Sequence, residues 1–219
     1  MNHFWSLTLL VGVALQVLVI AALLRGGYRR FRALFVYMVV LLLTTVAEAA
    51  AFYNENLFRH ATRYYWTIDA ARQGLIFLCV ISLALGALGC NPNRALMRRL
   101  LIAGASLFVL VSLYLTWEAK IGHWMTNLSR NLGFLAVILN LILWAVLIQF
   151  RQTDRILLMV SGGLGIQMAG KAIGHSLRQL SPLKPLAGDL VIVLSHLLCL
   201  YIWWHAFRRF DPEAAASLE

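Results

Sequence analysis

Seven long apolar runs, separated by short basic connections, limit this chain more than any other feature. They lie near Trp5–Leu24, Leu34–Phe52, Tyr65–Leu88, Leu100–Trp117, Leu128–Phe150, Ile156–Leu177 and Leu186–Phe207. Each is close to the roughly 20 helical residues that cross a hydrocarbon core about 30 Å thick. Only helices and closed barrels satisfy their backbone polar groups in lipid, and the period-2 alternation of barrel strands is absent. The sequence therefore predicts an all-α integral membrane protein, a seven-transmembrane-helix bundle. One transmembrane domain is expected over residues 1–210, with a short tail at 211–219. Composition agrees: 61% of the 219 residues are hydrophobic and 13% are charged, where soluble domains carry about 25%.

The connections give an orientation. Arg25, Arg29, Arg30, Arg32, Arg94, Arg98, Arg99, Arg151, Arg155, Arg208 and Arg209 fall on one side of a seven-span chain. Arg59, Arg63, Lys120, Arg178 and Lys184 fall on the other. The richer side is expected to be cytoplasmic, which puts the N-terminus outside and the C-terminus inside. The net charge of +10 is thus read as topology, and no nucleic-acid partner is expected. Trp5, Tyr53, Tyr64, Tyr65, Trp66, Trp117 and Trp124 cluster near the expected outer ends, as an interfacial belt does. The first apolar run has no preceding Lys or Arg and is too long for a cleavable leader. A multi-pass protein of a bacterial cytoplasmic membrane is the expected setting.

Ionisable residues inside the spans are costly, so each is a functional candidate. Glu48, Asp69, Arg72, Arg130, Lys171, His175 and Asp189 all fall toward the expected outer side, while His196 lies nearer mid-membrane. Below them the expected inner half has few polar groups, chiefly Asn140, Gln149 and His205. This distribution predicts an outward-facing charged cup that takes a small polar or anionic ligand, as a sensor or receptor does. With so little cytoplasmic chain, a signal would have to pass to a partner protein. A solute transporter or ion pathway is the alternative, and Gly162-Gly163-Leu164-Gly165 is its hint of a broken helix. An accessory subunit of a membrane complex, or a homo-oligomer, held by a glycine face is a third.

Helical spacing adds detail. Gly163, Gly170 and Gly174 share a face of the sixth span, and Gly170-x-x-x-Gly174 is a pattern for close helix approach. Gln167, Lys171 and His175 run along the adjoining stripe. Asp69 and Arg72 are spaced for an intrahelical ion pair, and Thr44 lies one turn from Glu48 on the same face. Across the bundle, Lys171 or Arg130 is an expected partner for Glu48. Asp189, His196 and Trp203 share a face of the last span, where His196 is expected to hydrogen-bond between helices.

The sequence gives little sign of catalysis. HExxH and HxxxH are absent, and Cys79, Cys90 and Cys199 have no ligand spacing, so no metal is expected. No lysine lies in the last span to hold retinal, and no cofactor of any kind is predicted. Gly163-Leu-Gly165 is followed by Met168, which breaks a dinucleotide-binding fingerprint.

Overall fold

The structure is a computed structural model that describes residues 3–53, 61–87, 94–116, 121–149, 155–180 and 186–208. These form seven α-helices: α1 His3–Leu24, α2 Arg32–Tyr53, α3 Ala61–Ala87, α4 Arg94–Thr116, α5 Ile121–Gln149, α6 Arg155–Leu180 and α7 Leu186–Arg208. A 3₁₀ turn at Gly27–Arg29 joins α1 to α2. Five stretches among the described residues are long and apolar enough to cross a membrane: Ser6–Leu24, Arg32–Ala50, Thr67–Ala87, Arg155–Gly174 and Leu186–Arg208. Asn131–Ala145 in α5 is a shorter apolar stretch. This is the build of a helical membrane protein.

Several helices start earlier than their apolar runs. α5 begins at Ile121, so Arg130 sits well inside it and not in its first turn. α3 begins at Ala61, which likewise moves Asp69 and Arg72 past its first two turns. Apolar character marks the part of a helix that suits lipid, while backbone hydrogen bonds carry the helix on into the polar layer. α6 is also one unbroken helix through Gly162–Gly165, so the break anticipated there is absent. Among the described residues, the positive-φ glycine is Gly26, at φ 150°, beside the 3₁₀ turn.

The chain divides into two compact units. Unit 1 comprises Met1–Met38 and Leu147–Glu219, and unit 2 comprises Val39–Val146. In unit 1, α7 packs on α6 along its length and also against α1. The α6–α7 seam is antiparallel and built on glycine. A methyl group at Gly163 would come 2.7 Å from Trp203 Nε1, and one at Gly174 would come 2.7 Å from the Gly188 carbonyl oxygen. One at Gly170 would collide with the Ser195 side chain. Helices approach this closely only where side chains are missing. This glycine face is therefore occupied by α7 of the same chain.

In unit 2, α5 buries Leu132, Ala136, Asn140 and Leu143, one residue per turn, and turns Phe134, Ile138, Leu141 and Ile142 outward. The outward set is large and apolar, as a lipid-facing surface is. The aromatic side chains expected to form the outer belt (Trp5, Tyr53, Tyr64, Tyr65, Trp66, Trp117 and Trp124) lie outside the described residues.

Candidate functional site

Among the described residues, polar side chains inside apolar helices gather at two places, one in each unit. In unit 2 the centre is Arg72 on α3. Its guanidinium meets the Glu48 carboxylate of α2 edge to edge, with Nη1 3.0 Å from Oε1 and Nη2 3.1 Å from Oε2. Its Nε donates to Thr44 Oγ1 at 2.8 Å. The Thr44 hydroxyl in turn donates to the Val40 carbonyl, 2.8 Å away. Thr44 and Glu48 lie one turn apart on α2, so a single guanidinium spans both while its planar fork stays aligned with the carboxylate.

Glu48 thus has a partner across the helix gap in Arg72, and all three guanidinium nitrogens of Arg72 reach side chains of α2. Thr44 supports the carboxylate indirectly, by holding the arginine. These partners give Arg72 a bidentate ion pair plus a third hydrogen bond. The pair is not sealed: the Arg72 side chain is 18% exposed and that of Glu48 is 28% exposed. Next to Arg72, the buried amide of Gln73 lies against α5, and a methyl at Gly133 would come 2.9 Å from its Nε2.

In unit 1 the centre is Gln167 on α6, which is 2% exposed. Its Nε2 donates to the Tyr37 hydroxyl at 3.1 Å and approaches His196 Nδ1 at 3.2 Å. Its Oε1 accepts from the Cys199 thiol at 3.4 Å. The amide nitrogen has two hydrogens and two acceptors, so Nδ1 of His196 is the acceptor and the ring proton sits on Nε2. One side chain thereby links α2, α6 and α7 within the unit. Below it, Trp203 Nε1 donates to the Val160 carbonyl at 3.0 Å, and its indole meets Tyr37 edge-on at 6.2 Å.

The remaining candidates are distributed between the units. Asp69 is on the exposed side of α3, Lys171 is half-buried on α6, and Asp189 is half-buried in the first turn of α7. The side chains of Arg130 and His175 lie outside the described residues. Among the described residues, no group of three or more His, Cys, Asp or Glu is arranged to hold a metal ion. Sequence reasoning missed Tyr37 and the partnership of Cys199. The spacing of His196, Cys199 and Trp203 by three and four residues was the available signal, since it puts all three on one face of α7.

No known protein family matches the chain, and no curated relative or solved structure is similar to it.

Proposed function

We propose that this protein is a multi-pass membrane protein, N-terminus outside and C-terminus cytoplasmic, that binds a small anionic solute at Arg72 and acts as a sensor-like module. The supporting observation is the partly exposed Glu48–Arg72–Thr44 cluster in two otherwise apolar helices. A guanidinium fork is the side chain best shaped for a carboxylate or phosphate. Glu48 occupies that fork as an internal anion. A solute anion that displaces it leaves Glu48 to find a new partner, and this exchange changes how α2 is held against α3. That is a binding event coupled to helix packing, which is what a sensor without its own output domain needs. The signal then passes to a partner protein at the short cytoplasmic loops.

The test uses protein in lipid nanodiscs and a panel of acetate, glutamate, sulfate and phosphate, with thermal unfolding as the readout. At least one anion is expected to raise the midpoint of the wild type in a saturable way. Arg72→Gln abolishes the shift. Glu48→Gln removes the internal competitor and moves the response to lower anion concentration. If no anion shifts either the wild type or Glu48→Gln, or if the shift survives Arg72→Gln, the proposal fails. Reporter fusions at each terminus test the orientation.

One observation favours a second reading, translocation of a polar solute. Asn140 lies in the middle of the buried stripe of α5 at 4% exposure, and its Oδ1 finds no hydrogen-bond partner among the described residues. An acceptor left without a partner in a dry interior costs about 1–3 kcal/mol, so a passing polar group would be welcomed there. Uptake into proteoliposomes of whichever anion binds separates the readings: binding without flux supports the sensor.

A further inference from the structure

The end of unit 1 where α1 finishes, α2 starts and α7 finishes carries a cluster of exposed arginines: Arg25, Arg29, Arg30, Arg32 and Arg208. Their neighbourhood follows from packing. Phe31 meets Phe207 edge-on at 5.4 Å, and Gly27 sits so close to α7 that a methyl there would come 3.5 Å from Phe207. The α1–α2 turn is thus clamped to the last turn of α7, which brings Arg208 to the turn's arginines.

Three of these guanidiniums lie over aromatic rings. Arg29 is 5.9 Å from the Tyr28 ring centroid, Arg30 is 5.4 Å from Phe31, and Arg208 is 5.0 Å from Trp204. Stacking holds a guanidinium by its face, so Arg208 can present its N–H edges to an anion beside the exposed Arg25. The first acidic residue of the chain is Glu48, so the whole of α1, the turn and the start of α2 bring no carboxylate. Beside the arginines stand exposed apolar and amphipathic groups: Leu24 at 56%, Tyr28 at 38% and Tyr201 at 50%. Charge alone would suit any anion. Charge flanked by exposed apolar and aromatic side chains at the ends of apolar helices suits an anion that has an acyl chain.

We propose that this surface is a docking site for the phosphodiester headgroup of an anionic phospholipid. It rests on α1, α2 and α7 being membrane spans, but not on any ligand at Arg72. The lipid's phosphate takes the outward N–H edges, its acyl chains lie along α1 and α7, and Tyr28, Tyr201 and Trp204 sit at headgroup level as interfacial aromatics do. Binding there would lock the α1–α2 turn onto α7 and so brace the α6–α7 seam.

The experiment is lipid competition on the full chain. Protein is reconstituted with phosphatidylcholine alone or mixed with phosphatidylglycerol, and the retained lipid is measured by native mass spectrometry. Selective retention of phosphatidylglycerol by the wild type is expected. Arg25→Gln/Arg29→Gln/Arg208→Gln lowers it at least tenfold, since each basic residue at a membrane surface is worth about fivefold. The matching triple lysine variant keeps the charge but loses the stacked fork, and falls between the two. Three results overturn the proposal: wild type retaining both lipids equally, the glutamine variant retaining phosphatidylglycerol, or inorganic phosphate displacing the lipid, which would mark a site for soluble anions. The wild-type comparison stands even if the glutamine variant inserts wrongly.

Discussion

The Glu48–Arg72 pair separates a structural role from a functional one when both residues are replaced. Consider Glu48→Met, Arg72→Met and the double variant. Each single change removes two charge-assisted hydrogen bonds at 3.0 and 3.1 Å and leaves one ion facing an apolar helix. Removing one partner of a fully buried pair costs about 3–5 kcal/mol. With side-chain exposures of 18% and 28%, the stranded charge recovers part of its hydration. A loss of about 2–4 kcal/mol is therefore expected for either single variant. The double variant strands no charge. Methionine fills similar volume, so its stability should lie within about 1 kcal/mol of the wild type. The cycle then gives a coupling energy of about 3 kcal/mol or more. Reversible unfolding in mixed detergent micelles measures all four corners. Coupling below about 0.5 kcal/mol, with additive single costs, would refute the pairing. If the double variant is stable yet has lost anion binding, the pair is present for function. If it still binds, Arg72 is not the receptor for the anion.

Three further outcomes follow from other contacts. Gly170→Ala drives a methyl into Ser195 and should lower stability by about 1–3 kcal/mol, while Gly170→Ala/Ser195→Gly recovers most of the loss in the same unfolding assay. Gln167→Leu removes the partner shared by Tyr37, His196 and Cys199 at once. It should cost about 2–4 kcal/mol and shift the His196 ring ¹⁵N resonances, and unchanged resonances would contradict the assigned contact. The hydrogen bond from Arg29 to the Tyr28 hydroxyl, with the charge of Arg29, holds that phenol below its usual value of 10.0. The folded state releases this proton first, so the stabilisation it brings is absent at neutral pH and grows as pH rises through the folded value toward 10.0. Tyrosinate absorbance should show the phenol titrating later in Arg29→Gln.

How much of this was legible in the chain depends on what each part of the fold responds to. Hydropathy pointed to the seven helices of the described residues, five of which hold a stretch long and apolar enough to cross a membrane. It missed their ends by up to seven residues, as at Ile121, because the helix does not stop where the lipid does. It also says little about which side faces inward. Leu164 is fully buried while Ile166 is 36% exposed, and Leu200 is fully buried while Leu198 is 47% exposed. Lipid tails are as apolar as leucine, so a leucine is equally content on either face and carries no facing signal.

Facing is written instead in the residues lipid does not want and in those too small to fill a gap. Gly163, Gly170 and Gly174 could be read as one face from spacing alone, and that face lies against α7. Thr44 with Glu48 could be read the same way on α2. What spacing could not supply was the partner across the gap. Arg72, Arg130 and Lys171 are equivalent cations to a single sequence; choosing among them requires the register of α3 against α2, which is set by the whole packed surface. Gln167 illustrates the point most sharply. Its place on a polar stripe was readable, yet its three partners come from Tyr37, His196 and Cys199 on two other helices. In a membrane bundle the buried amide decides how the helices turn, because its unsatisfied alternative is the costlier state. Burial of Tyr37, Cys199 and Trp203 around Gln167 is thus a consequence of satisfying one side chain, and it is there that a substitution should disturb unit 1 most.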